Sequence, residues 1–502
     1  MPTSVIVLAL LAAATVVRGA TVPDTNAEPN RPKNDHKVII LGGGVAGVIA
    51  ARTFHQHGVK DFVIVEARDE LGGRLRSTSF GGKTVELGAN WVQGTQTGPN
   101  GPANPIFTLV KKHKIKTQLS NYFTSLTTYD NTGAVNYMDV FNASIDAYVE
   151  LTRTAGDRVP QNLVDVSSRT AYTLIGAKPQ DAHAKAAEYY QFDWEYAQTP
   201  DQTSAIASSW ANNFTFDAYQ GGFSDDNLLN IDQRGFKTFI QEEAKEFLKP
   251  SQLRLSSTVK TISWSRSGVK LVLTDGSSLS GDYALCTFSL GVLQNDDVTL
   301  TPQLPGFKKE AIASMTMGTY TKIFLQFPKK FWFDTEMALY ADPERGRYPV
   351  WQSLDHENFL PGSGIIFVTV TGDFSERIEG LPDAQVKEEV LGVLQSMYPN
   401  ITVPAPLDFK FNRWRSDPLY RGSYSNWPPS FVKQHHDNLR ANVERLYFAG
   451  EATTQKYFGF LHGAYFEGLD VAKEMIKCIK HHGCVGLQHY NEVKNAIPYG
   501  II

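Results

Sequence analysis

The chain has 502 residues, enough for two to four folding units at roughly 150 residues each, which excludes a small disulfide-stapled scaffold. Its 48 Lys plus Arg against 52 Asp plus Glu give a net charge of −4 without a long run of either sign, so nucleic acid is not an expected partner. Apolar residues at 42%, aromatics at 12% and 40 Gly fit a globular protein with pockets and exclude disorder over most of the length.

The first segment, MPTSVIVLALLAAATVVRGA, has an apolar core from Val5 to Val17 followed by small residues, and it resembles a secretory signal peptide covering residues 1–19. That core is short for a membrane span, which needs about 20 residues, and an uncleaved anchor is the alternative. Removal of the leader would place the protein outside the cell, secreted or in the cell wall. There the sequons at Asn142, Asn213 and Asn400 become usable glycosylation sites. Cys478 and Cys484, separated by five residues, could close a disulfide in such a compartment, whereas Cys286 lies in an apolar run; three free thiols are the alternative. No other long apolar stretch follows, so no stable membrane association is expected.

After the polar stretch from Thr21 to Asp35, Val38–Leu41 reads as a short apolar strand, and Gly42, Gly44 and Gly47 fit G-x-G-x-x-G ahead of a helix over Val48–His57. A second strand, DFVIVEA, ends on Glu66, 24 residues past Gly42, near the position of an acid that hydrogen-bonds an adenosine ribose. Gly42 permits the tight turn, Gly44 lets the backbone approach a pyrophosphate, and Gly47 lets the helix pack on the strand. An empty turn of this type is the plain alternative. The motif alone does not separate NAD from FAD. The sequence beyond it does: Gly72-Gly73-Arg74 and ELGANWVQG follow directly, and far downstream RLYFAGEATT runs a strand into Glu451 before GFLHGAYFEG opens a helix around Gly463 and Ala464. A nicotinamide dehydrogenase needs no such return, whereas the longer flavin cofactor does.

These pieces, with DQRGF, CTFSLGVL, YTKIFLQFPKKFW and RGSYSNWP, give the chain a resemblance to the flavin amine oxidase family, closest to its secreted plant and fungal polyamine oxidases, from Lys37 to Tyr465. The resemblance implies an α/β FAD-binding domain of Rossmann type, assembled from residues 33–110, 231–306 and 417–490. It implies a second, α+β substrate-binding domain from residues 111–230 and 307–416, with a mixed sheet and flanking helices. Within the first, VKTISWS, VKLVLTDGSSLSG and YALCTFS read as a β-meander with a hairpin at Asp275-Gly276. Residues 111–230 read as largely helical, and 307–416 as strands with a helix at DAQVKEEVLGVLQSMY.

By motif match, the resemblance makes Lys322 the catalytic lysine near the flavin, although a lysine on a strand is ordinarily solvent-facing. Tyr424 and Phe460 match the two aromatic walls that hold the amine, where core packing is the ordinary role of such rings. Trp91, Val259 and Trp414 join Gly42, Gly44, Gly47, Glu66, Arg74, Glu451, Gly463 and Ala464 as cofactor-binding candidates, with Trp427 packing near the ring. Of the two tunnel glutamates of plant polyamine oxidases, one matches Glu195; the other position is Gln93 here. The expected substrates are a polyamine and O2, with FAD held non-covalently because Ser423 stands where thioether-linked members carry Cys. A monomer or weak dimer is expected. An L-amino-acid oxidase would need an Arg for the substrate carboxylate, for which Arg413, Arg415 and Arg421 are available, and a flavin binder without turnover is a third reading. His435-His436 and His481-His482 lack companion ligands, read as solvated, and imply no metal.

Overall fold

Ile39, Leu41, Val38 and Ile40 are all fully buried, and alternate members face two different cores. A strand that is apolar on both faces belongs at the centre of a parallel sheet covered on each side. It is so placed in the computed structural model, which describes residues 36–481; the leader, Cys484 and His482 lie outside the described residues. Strand β1 (His36–Leu41) pairs in parallel with β2 (Phe62–Val65) on one side and with Ser278–Cys286 on the other. Helix α1 (Val45–Gln56) covers one face together with Leu461–His481.

The turn between β1 and α1 depends on two glycines. Gly42 has φ +106, a conformation that L side chains rarely adopt, and a Cβ on Gly47 would stand 2.0 Å from the Gly42 carbonyl oxygen. The rest of this eight-stranded sheet is completed from far downstream. The first half of Ser278–Cys286 forms an antiparallel hairpin with Gly268–Leu273 across the Asp275-Gly276 turn, and its second half runs parallel to Leu446–Phe448.

A second sheet of seven strands runs in the order Asp408–Phe411, Tyr320–Gln326, Ile365–Thr371, Val350–Ser353, Met337–Tyr340, Leu126–Asp130 and Gly133–Ala134, antiparallel except between Met337–Tyr340 and Leu126–Asp130. Helix Asp383–Met397 covers one face with Val386, Val390, Val393, Leu394 and Met397, the spacing of one helical stripe. The architecture is therefore α/β around the first sheet and α+β around the second.

The helices of the stretch expected to be largely helical lie between residues 138 and 216, with Met138–Arg158, Ala182–Gln191 and Ala205–Phe216 as the longer members, while strands Thr117–Leu119, Leu126–Asp130 and Asn227–Asn230 flank them. The AHAKAAEYYQFDWEYA stretch breaks at Phe192 into the helix Ala182–Gln191 and a single turn, Asp193–Tyr196, that ends on Ala197 in the left-handed region at φ 55. Among the described residues, no helix is long and apolar enough to cross a membrane.

Candidate active site

A cavity of about 440 Å³, within the usual range for small-molecule sites, reaches from the β1–α1 turn to the second sheet. Gly42, Gly44 and Glu66 line one end; Lys322, Glu195 and Tyr424 line the other.

At the glycine end, both carboxylate oxygens of Glu66 accept from backbone: Gly43 N at 2.7 Å and Arg68 N at 2.8 Å. Burial pushes this carboxyl up, and the same amide donors oppose the shift. Arg74 Nη1 donates to Glu451 Oε1 at 2.8 Å and to the Ser423 carbonyl at 2.9 Å. Glu451 Oε2 in turn accepts from Ser425 Oγ at 2.5 Å and Gly459 N at 2.8 Å. One carboxylate thus joins the Arg74 loop to the segments that carry Tyr424 and Phe460. Val259, 6% exposed, and Ala464 complete this wall.

At the other end, strand alternation brings Tyr320 and Lys322 to the same face, and both line the cavity. Lys322 Nζ donates to Gly88 O at 2.7 Å, Asn90 Oδ1 at 2.7 Å and Glu86 O at 3.2 Å, one acceptor for each ammonium proton. Burial pushes its pKa down to about 7, and the Glu86 carboxylate opposes this. Tyr424 donates its hydroxyl to the Glu195 carbonyl at 2.7 Å, and its ring lies 6.0 Å from that of Tyr320. The Glu195 carboxyl itself faces the cavity without a hydrogen-bond partner among the described residues, and burial pushes it up to about 7. Phe460, 6% exposed, stacks on His462 at 4.9 Å and 24°. Burial pushes His462 down to about 3, so this ring is neutral at pH 7. Trp91, Tyr122 and Trp194 continue the aromatic lining, with Tyr122 5.7 Å from each neighbour. Gln93 lines the same cavity, and its backbone carbonyl accepts from Asn104 Nδ2 at 2.8 Å.

Four expected placements are corrected. Trp427 is not part of the cavity lining: its indole N–H donates to the Phe431 carbonyl and its ring stacks on His436 at 5.7 Å. His436, expected to be solvated, is therefore buried at 4% exposure. Gly463 stands behind the wall rather than in it, since a Cβ there would approach the Tyr457 carbonyl oxygen to 2.1 Å. Gly47 likewise acts through packing and does not line the cavity. Trp414 does line it, edge-on to Tyr420 at 5.1 Å.

The arginines that an L-amino-acid oxidase would need are engaged elsewhere: Arg413 with Asp383 and the Glu379 carbonyl, Arg415 with Glu376, and Arg421 with Asp297 in a fork at 2.7 and 2.6 Å. Cys286 is a free, buried thiol pushed up to about 12, and Cys478 is disulfide-bonded; neither lines the cavity. His113, Glu243 and Glu246 bring possible ligand atoms within 4.8 Å of one another. Lys112 already bridges the two glutamates at 2.6 Å each and Arg52 adds a bond to Glu243 at 2.8 Å, so the group is a charge-compensated network.

A dinucleotide cradle at one end and a buried lysine among aromatic walls at the other define an oxidoreductase that works on a bound cofactor. The chain belongs to the family of flavin containing amine oxidoreductases, which it matches over residues 45–476. It is 35% identical to polyamine oxidase 6 of Oryza sativa subsp. japonica over 93% of this chain and 96% of that protein. It is also 35% identical to polyamine oxidase 1 of Zea mays, over 89% and 92%. A solved structure of wild-type putrescine oxidase bound to putrescine superposes with a TM-score of 0.68, over 88% of this chain and 99% of that one, at 16% identity. The protein is an FAD-dependent amine oxidase.

The residues present fit FAD. A Cβ on cavity-lining Gly450 would meet nothing within 4 Å, leaving open space beside the backbone, and the first-turn amides of α1 face the Gly42–Gly44 turn. Gly42, Gly44, Glu66, Arg74, Val259, Glu451 and Ala464 would hold it, and when bound it supplies the two-electron acceptor for amine oxidation. The chain's own part is to bind and orient the amine, exclude water and keep a lysine of lowered pKa at hand.

Proposed function

We propose that the chain oxidises polyamines, spermidine and spermine, at the carbon next to a secondary nitrogen. The C–H bond of that carbon breaks, two electrons pass to dioxygen as the final acceptor to give hydrogen peroxide, and water cleaves the resulting iminium to an aldehyde and an amine. Attack on the side that yields 1,3-diaminopropane and an aminoaldehyde is the favoured outcome, following the resemblance to secreted plant enzymes.

The observation that carries this reading is the Glu195 carboxyl, which faces the aromatic-lined cavity with no hydrogen-bond partner among the described residues. A carboxylate in that position is matched by a second ammonium on the substrate. The rice and maize relatives, both polyamine oxidases, support it. Hydrogen peroxide release with spermidine and spermine, absent with L-amino acids, tests it, and mass spectrometry of the products identifies the carbon attacked.

We propose further that FAD is bound without a covalent link. No thiol among the described residues lines the cavity, and Ser423 Oγ is occupied by Tyr320, accepting from its N–H at 2.8 Å. Acid precipitation should leave the yellow colour in the supernatant. Export through the secretory pathway, with glycans at Asn142 and Asn400, completes the proposal: both asparagines are exposed, whereas Asn213 is half-buried and its sequon Thr215 is fully buried against His462. A mass shift on enzymatic deglycosylation of the secreted chain tests this.

A further inference from the structure

Glu195 is carried by a turn of only four residues, Asp193–Tyr196. So short a helix has too few internal hydrogen bonds to hold a direction of its own. It is tied down from outside at every residue. Asp193, 2% exposed, receives a two-pronged pair from Arg345, Nε to Oδ2 at 3.0 Å and Nη2 to Oδ1 at 2.6 Å. Trp194 packs on Tyr190 at 4.8 Å, the Glu195 carbonyl accepts from Tyr424, and Tyr196 donates to the Ser208 carbonyl at 2.9 Å. The Glu195 carboxyl alone is left over for the cavity.

The Arg345–Asp193 pair is itself braced. Arg345 Nη1 also reaches Glu188 Oε1 at 2.8 Å, and Arg169 forks onto the same carboxylate at 2.8 and 2.5 Å. Two arginines and two acids form a nearly closed lattice whose charges cancel. Buried ion pairs add little net stability after desolvation, but a planar guanidinium fork fixes orientation as well as distance. Arg345 lies on the connection between Met337–Tyr340 and Val350–Ser353, in the sheet that also carries Lys322. The same sheet therefore carries Lys322 and, through Arg345, braces the turn that carries Glu195.

We infer that Arg345 is a positioning residue for substrate selection: its fork on Asp193 fixes the turn so that the Glu195 carboxyl stays aimed into the cavity. This rests on the reading of Glu195 as the anchor for the distal ammonium of the substrate.

The test uses the FAD-loaded enzyme and the ratio of kcat/KM for spermidine to kcat/KM for an amine of equal length with a neutral tail. Arg345→Lys keeps the buried charge and loses the fork. It should lower the ratio on the order of 10-fold, through KM for spermidine, while flavin content and turnover of the neutral-tailed amine stay within about 2-fold of the parent. In a Glu195→Gln background, Arg345→Lys should lower the ratio no further. An unchanged ratio in Arg345→Lys overturns the inference, as does a fall of the same size in both backgrounds. If Arg345→Lys does not retain flavin, Asp193→Asn, which keeps shape and loses the charge, is judged by the same criteria. A Glu195→Gln variant with the parental ratio removes the anchor reading and this inference with it. Loss of the ratio in Glu195→Gln, with none in Arg345→Lys, removes the inference alone.

Discussion

At the glycine end of the cavity backbone amides reach both acids: Glu66 accepts from Gly43 and Arg68, and Glu451 from Gly459 and Ser425 beside the Arg74 guanidinium and the Ser425 hydroxyl. At the lysine end, Lys322, Glu195, Tyr424 and Phe460 come from four separate segments and are set by tertiary contacts, such as the hydroxyl of Tyr424 on the Glu195 carbonyl. The first arrangement suits a ligand that is always the same, whose phosphates main-chain donors would recognise. The second suits a ligand that is selected, because each side chain can change without rebuilding a turn.

The sharpest way to break the first region is Gly47→Val. With the Gly42 carbonyl oxygen 2.0 Å from a Cβ, α1 must move off the β1 turn, at a cost of about 1–3 kcal/mol or more. The purified variant should contain less than about a tenth of the parental flavin by absorbance; a fully yellow protein would show that the turn is not the cradle. In the second region, Glu195→Gln should raise KM for spermidine by about 10 to 150-fold, equivalent to about 1.5–3 kcal/mol for a charge-assisted contact, with little change for a neutral-tailed amine.

The same contrast has a pH signature. Because burial holds the free Glu195 carboxyl near 7, it is largely neutral below that pH and ionised above it. The ratio of kcat/KM for spermidine to that for the neutral-tailed amine should therefore rise as pH passes upward through about 7, and should lose that rise in Glu195→Gln. Lys322→Met should retain flavin yet slow flavin reduction or reoxidation by about 10-fold or more in stopped flow. It should also lower thermal stability, since the carbonyls of Glu86 and Gly88 and the amide oxygen of Asn90 lose their donor. Gln93→Glu is the smallest change, adding a carboxylate to the wall and strengthening the preference for spermidine by about 2 to 5-fold, measured as the same ratio.

The turn at the glycine end was legible in the sequence because it is local: the spacing of Gly42, Gly44 and Gly47 between strand and helix carries the geometry with it, whereas the Arg74–Glu451 pair, 377 residues apart, was reached only through its motifs. At the lysine end, composition and periodicity alone would have placed Lys322 in solvent, and only the surrounding motif put it inside. Tyr320 was missed although it lies two residues before Lys322, and strand alternation was the available signal. Trp427 and Trp414 stand in similar Trp-bearing runs, yet one stacks on His436 and the other reaches the cavity. That choice is made by a bond from the Trp427 indole to a carbonyl four residues on, which no pattern of residue types ranks above its rivals. The same contact buries His436, so a single side-chain direction accounts for both misplacements.

The long strand Ser278–Cys286 lies beside β1, and Leu446–Phe448 lies beside it in turn. A ribosome makes about 5–20 residues per second, so the 422 residues from Gly42 to Ala464 take roughly 20 to 80 s to appear. Throughout that interval the apolar run Val38–Leu41 lacks one of its two neighbouring strands for part of the time, and the helix Leu461–His481 that covers it for all of it. Because Glu451 and Ala464 line the same cavity and are made last, complete cofactor capture is expected to follow synthesis rather than accompany it. A stop codon after Arg440 would accordingly abolish flavin capture while leaving the whole glycine motif in the product.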